Sequence, residues 1–160
     1  MKNPEKMSVR HMVVDQFMTP KPECVLFAMT VKEVIQLLLK KNFSGAPIVD
    51  QAQRLVSIVS ESDLMKFAAA GGLNEPLQKF AMKLPKLSEM VAVVHGAPFS
   101  EVFKKFLENP VRRVVVVDGN GKVMGIVSRG NVLRAFLESE SADSAVKAKL
   151  EDKKPAKRFP

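Results

Sequence analysis

The second half of this chain repeats the first. Sliding the sequence against itself by 68 positions sets Asp63 on Asn131 and aligns residues 25–65 with 93–133 without a gap. Val25 then meets Val93, Glu33 meets Glu101, Val34 meets Val102 and Leu39 meets Leu107. Val49 and Asp50 fall on Val117 and Asp118, while Ile58, Val59 and Ser60 fall on Ile126, Val127 and Ser128. The identities are few, but apolar positions coincide almost throughout. A unit of this length occurring twice describes two copies of one supersecondary element and not a solenoid array, which needs at least three repeats.

Each copy reads strand, helix, strand, strand, helix. Residues 25–27 and 91–94 are short apolar strand candidates. Thr30 offers the hydroxyl of a helix cap, with Glu33 three residues on to complete a capping box. Val31, Val34, Ile35, Leu38 and Leu39 follow at helical spacing, and Phe99, Val102, Phe103, Phe106 and Leu107 repeat that pattern behind Pro98. Hairpins come next, over 46–50 and 54–59 and over 113–117 and 122–127. The second turns at Asp118-Gly-Asn-Gly121, a composition that favours a tight reversal. Closing helices are expected over 62–70 and 130–138, each opened by a serine. Gly71-Gly72 stops the first, and Asn74-Glu-Pro76 starts a short connecting segment.

Two such units in 160 residues have small interiors to fill. A hydrophobic content of 46% is enough, and with ten Phe but no Trp or Tyr the interior must be aliphatic and phenylalanine. The one cysteine, Cys24, excludes an internal disulfide and a multi-cysteine metal site and fits a reducing compartment. The charged N-terminus lacks the apolar stretch of a signal peptide, and no apolar run approaches the length of a membrane span. A cytoplasmic protein without membrane insertion is expected. Part of the net charge of +8 lies in residues 141–160, where Lys147, Lys149, Lys153, Lys154, Lys157 and Arg158 outnumber Asp143, Glu151 and Asp152. That segment reads as a basic, disordered tail. Without interleaved aromatics or a reading motif, nucleic acid is the weakest candidate partner.

The order β-α-β-β-α after an extended lead-in, doubled at fixed spacing, resembles the CBS domain, and two in tandem resemble the Bateman module. The markers are Asp15-Gln-Phe-Met-Thr-Pro20, Ser44-Gly-Ala-Pro-Ile-Val-Asp50 and Ile58-Val-Ser-Glu-Ser-Asp63, then Arg112-Arg-Val-Val-Val-Val-Asp118 and Gly125-Ile-Val-Ser-Arg-Gly-Asn131. The resemblance covers residues 13–140. It implies an α/β (α+β) fold of two β-α-β-β-α CBS repeats packed as a pseudo-twofold pair. A lead-in would occupy 1–12, the first CBS domain 13–71, and the second domain with its connecting segment 72–140, before the tail. It also implies a regulatory module, not an enzyme, that binds an adenosine-containing ligand: AMP, ADP or ATP, with S-adenosylmethionine as a further option. Such a module signals through a homodimer or a separate effector protein. The alternative is a ligand-free structural or protein-interaction module.

The family's ribose-reading motif is Ser or Thr, two residues, then Asp, which Ser60-Glu-Ser-Asp63 matches. A helix N-terminus favours a phosphate, the Ser60 hydroxyl adds a bond, and an Asp63 carboxylate accepts from both ribose hydroxyls. The same residues also make an ordinary helix start, so both readings stand. In the second copy Ser128 is followed by Arg129 and by Asn131, which bonds a hydroxyl without charge assistance. Arg112, Arg113 and Arg129 are either phosphate holders there or exposed basic residues. By resemblance, Cys24, Val25, Gly45, Ala46 and Pro47 line a first cleft, and Ala92, Val93, Arg113, Val114 and Val115 a second. Plain core and edge strand is the competing account of each. His11 and His95 lack metal-ligand spacing, Cys24 falls on Ala92 and reads as a small buried residue, and no nucleophile–His–acid arrangement is present. Met18, Met82 and Met90, at the entrances to the copies, are candidates for a dimer interface.

Overall fold

The computed structural model describes residues 8–139. The tail expected over 141–160 and the first seven residues lie outside them. In chain order, the lead-in holds a two-residue strand, β1 (Thr19–Pro20). The first copy holds α1 (Val31–Lys41), β2 (Gly45–Val49), β3 (Leu55–Ser60) and α2 (Glu61–Ala69). The second holds β4 (Ala92–Val94), α3 (Phe99–Glu108), β5 (Arg113–Val117), β6 (Val123–Ser128) and α4 (Arg129–Glu138).

Local chemistry accounts for the boundaries. Thr30 Oγ1 accepts the Glu33 N–H at 3.1 Å and Glu33 Oε2 accepts the Thr30 N–H at 2.9 Å, closing the expected capping box. Val31, Val34 and Leu38 turn inward, whereas Leu39, one position further round, is exposed. Helix α1 ends on Asn42 in the left-handed conformation at φ 56°, a common helix stop. Both closing helices start one residue earlier than expected, because Ser60 and Ser128 act as their caps.

Strands β2 and β3 pair antiparallel, and Val25 adds only a parallel bridge to Ile48 where a fuller strand was expected. In the other sheet β4 runs parallel to β5, β5 antiparallel to β6, and β6 antiparallel to β1. The last pairing crosses between copies, since β1 belongs by sequence to the first. The same exchange governs both cores. Val9, Met12, Val14 and Phe17 are buried with Phe99, Val114, Val127 and Ala135 of the second copy. Leu77 and Leu84, which follow the first copy, are buried with Val34, Ile48 and Phe67 inside it. Backbone bonds fix the exchange: Val14 N–H to Ala97 O at 2.8 Å on one side and Leu77 N–H to Met29 O at 2.8 Å on the other. The boundary is therefore not a single cut in the chain. Each interior is completed by the segment that precedes the other copy.

The copies also meet through their hairpin turns, where Leu55 N–H bonds Gly121 O at 2.9 Å and Val123 N–H bonds Gln53 O at 3.1 Å. Among the described residues no helix is long and apolar enough to cross a membrane.

Candidate functional site

At the N-terminus of α2 the motif residues form a reciprocal cap. Asp63 Oδ2 accepts the Ser60 N–H and the Ser60 hydroxyl, both at 2.8 Å, and Ser60 Oγ accepts the Asp63 N–H at 3.2 Å. This satisfies N–H groups that the helix itself cannot. Asp63 keeps its other oxygen, Oδ1, clear of any hydrogen bond among the described residues, and the side chain is only half-buried. The cap and the ligand site are thus compatible. One carboxylate oxygen serves the helix and the other remains for a guest.

Asp63 and Ser60 line a cleft of about 610 Å³ between the copies, a size suited to a small organic ligand. The first copy contributes Ser44, Gly45 and Val59, the connecting segment Pro85 and Met90, and the second copy Val91, Arg112, Arg113 and Val115. Apolar walls thus flank Arg112 and Arg113 at one side and Asp63 at the helix end, with Glu61 and Glu89 also in the lining. Arg113 crosses from β5 to hydrogen-bond the Ser44 hydroxyl. Gly45 makes room for it: a Cβ at that position would stand 2.8 Å from Val59 O and 3.2 Å from Arg113 Nη1. Burial and then the adjacent Arg112 charge hold the Arg113 guanidinium below its ordinary pKa, with Glu61 opposing the shift. A partly desolvated cation beside a like charge is relieved by an anion.

The expected site residues fall into three groups. Gly45, Ser60, Asp63 and Arg113 converge on this cleft. Arg112 and Arg113, placed by sequence near the second motif, line the first one. The pseudo-twofold explains this, since the starts of β2 and β5 are equivalent and meet at the axis. Ser128, Arg129 and Asn131 gather at the N-terminus of α4, where Asn131 Oδ1 accepts from Ser128 N–H and Oγ at 2.8 Å. Arg129 is exposed there, its guanidinium 3.5 Å from Val111 O. Val25, Ala46, Pro47, Val93 and Val114 are buried residues of the strands or, for Val25, of the bridge beside β2, away from the cleft lining, four of them within the two cores. Cys24 is half-buried, with Sγ 3.4 Å from Pro22 O. Burial, and then Glu23, push its thiol pKa up, which disfavours the thiolate. Ser44, Met90 and Val91 were not singled out for this cleft. The repeat held a signal for Ser44, which stands at the position equivalent to Arg112. Met18 packs on Gly125 and Met82 is exposed. Among the described residues no group of three or more His, Cys, Asp or Glu could hold a metal ion.

Two copies of one unit, joined about a pseudo-twofold with a cleft at the motif helix, narrow the possible relatives. A family profile described as the CBS domain matches residues 9–70 and 87–138. The chain belongs to the CBS domain family. The CBS domain-containing protein CBSX1, chloroplastic, of Arabidopsis thaliana is 30% identical over 151 residues, covering 78% of this chain. The match spans 64% of that relative, a little under two thirds of its length. Among solved structures, CBSX2 in complex with AMP is 30% identical with a TM-score of 0.66, covering 81% of this chain and 98% of that one. The CBS-pair protein CBSX2 from Arabidopsis thaliana gives 27% and a TM-score of 0.70, over 80% and 96% of the two chains. The tandem CBS pair expected from the repeat is the fold observed. The relative's chloroplastic name shows that membership of this family does not fix a compartment.

Proposed function

We propose that this CBS pair is a non-catalytic regulatory module that binds a phosphorylated adenosine, of the AMP, ADP or ATP class, in the Asp63 cleft. The observation that carries the reading is the unbonded Asp63 Oδ1 in a cleft that Arg112 and Arg113 also line. A carboxylate accepts the vicinal ribose hydroxyls, the paired guanidinium groups hold phosphate, and Val91, Val115 and Met90 offer apolar surface to a base. The AMP complex of CBSX2, 30% identical, supports this ligand class. S-adenosylmethionine offers the two arginines no phosphate to hold.

A ligand that bridges Asp63 and Arg113 touches both copies, so binding favours one relative packing of the two. Met65 of α2 and its repeat equivalent Leu133 of α4 are exposed, as is Leu137. These exposed apolar side chains support a homodimer through which that packing change reaches a separate effector. A thermal-shift series with AMP, ADP, ATP, S-adenosylmethionine and GTP tests the proposal. The expected result is a rise in melting temperature with the adenine nucleotides that Asp63→Ala abolishes. No shift at millimolar ligand would replace the proposal with a structural or protein-interaction module.

A further inference from the structure

The duplication sets the N-termini of α2 and α4, at Asp63 and Asn131, in pseudo-equivalent positions, and three substitutions between the copies make them chemically unlike. At the motif position both side chains give one oxygen to the helix cap. Asp63 then has an acceptor left, whereas Asn131 has only its amide N–H₂, a donor group of which one N–H engages Thr19 Oγ1 at 3.4 Å. Flipping the amide would turn N–H groups toward the Ser128 N–H, so the cap fixes this orientation. Asn131 is accordingly 6% exposed, while Asp63 is half-buried.

The second difference lies in the strand beneath. Gly125 lets the lead-in lie directly on β6, with Met18 against it and Thr19 paired to Ile126. The equivalent residue in the first copy is Ser57, whose hydroxyl instead bonds Pro85 O at 2.8 Å. There the lead-in forms no strand, and Leu87, equivalent to Thr19, is left 60% exposed. The third difference is at the axis. Arg113 reaches across to Ser44, but its equivalent is Gly45, so no side chain crosses back.

We infer that this chain holds a single nucleotide, in the Asp63 cleft, and that Asn131 serves instead in a structural joint with the lead-in. The inference rests on the proposed nucleotide-binding reading and adds its stoichiometry. Isothermal titration calorimetry of the full chain with AMP and, separately, ATP tests it. The expected result is one nucleotide per chain. Asp63→Asn, which keeps the cap as Asn131 does, should weaken binding about tenfold or more through loss of the charged acceptor and leave no second set of sites. Thr19→Val removes the hydroxyl that engages Asn131, and should lower the melting temperature while affinity and stoichiometry stay unchanged. Two nucleotides per chain overturns the single-site inference alone, whereas binding that survives Asp63→Asn but is altered by Thr19→Val overturns it together with the placement of the nucleotide at Asp63. Absence of binding by the unaltered chain to both probes overturns the nucleotide reading itself, and this inference with it.

Discussion

Asp63 and Asn131 show how one atom separates two roles. Each caps its helix with one oxygen in the same geometry, so the helix start is indifferent to which residue is present. What differs is the atom left over. Asp63→Ala therefore removes two things, and a ligand-free urea titration should show a loss of about 0.5–2 kcal/mol from the cap alone. Asp63→Asn should keep that stability and lose only the nucleotide-dependent rise. Equal instability in the two variants would mean that the carboxylate charge, and not the cap, stabilises the helix. Sequence revealed both candidate roles of Ser60 and Asp63, because cap and ribose site demand the same residue types. It did not reveal the position of Arg113, whose side chain leaves its own copy to reach Ser44.

The elements that join the copies are the hairpin turns, and each is organised by an aspartate. Asp50 Oδ1 accepts the N–H groups of Ala52 and Arg54, both at 2.9 Å. Asp118 Oδ1 accepts those of Asn120 at 2.8 Å and Lys122 at 3.0 Å. The bond from the Arg54 N–H, above all, holds the Asp50 pKa below its ordinary 3.8, and the bond from the Lys122 N–H does the same for Asp118. A depressed folded-state pKa means that the unfolded chain binds more protons through this range, so the stabilisation is present above pH 3.8 and is lost as pH falls through the lower, folded value. The double variant Asp50→Ala/Asp118→Ala should melt at a lower temperature at neutral pH and show a flatter acid limb. A parent-like acid limb in that variant would contradict this account. The Asp-Gly-Asn-Gly composition made the second turn legible. The contact between the turns was not, since it joins residues that neither periodicity nor spacing relates. Strand β1 was also hidden, because two residues carry no alternation and its partner is a glycine-containing strand more than a hundred positions away.

At the scale of the molecule, the cores do not coincide with the copies. Phe17 precedes the first copy yet packs against Phe99 at a ring-centroid distance of 5.4 Å in the second. Phe80 follows the first copy and stacks on its Phe67 at 4.4 Å, beside buried Leu77. Phe17→Ala should cost about 3–5 kcal/mol and Leu77→Ala about 2–5 kcal/mol. Hydrogen exchange should place the damage crosswise. Phe17→Ala should raise exchange first in β5 and β6, and Leu77→Ala first in β2 and β3. Loosening confined to the copy adjacent in sequence would contradict the exchanged lead-ins. Through this crossing a ligand in the Asp63 cleft would act on the pair as a whole, since the cleft, both interiors and the turn contact all span the two copies.

By itself the sequence determined the repeat, the order of elements within each copy, the helix caps and the family. These follow from local chemistry and from apolar periods of two and 3.6 residues, which any stretch of chain displays without knowledge of its neighbours. Only the tertiary structure decided which lead-in completes which core, that Arg113 lines the Asp63 cleft, and that Asn131 meets Thr19. Each of these joins residues far apart in sequence, and each depends on a side chain too short or too long for a simple copy of the first half: Gly45, Gly125 and Arg113. Duplication made the two motif helix starts equivalent in backbone. The packing of a few unlike side chains about the shared axis made them different in chemistry.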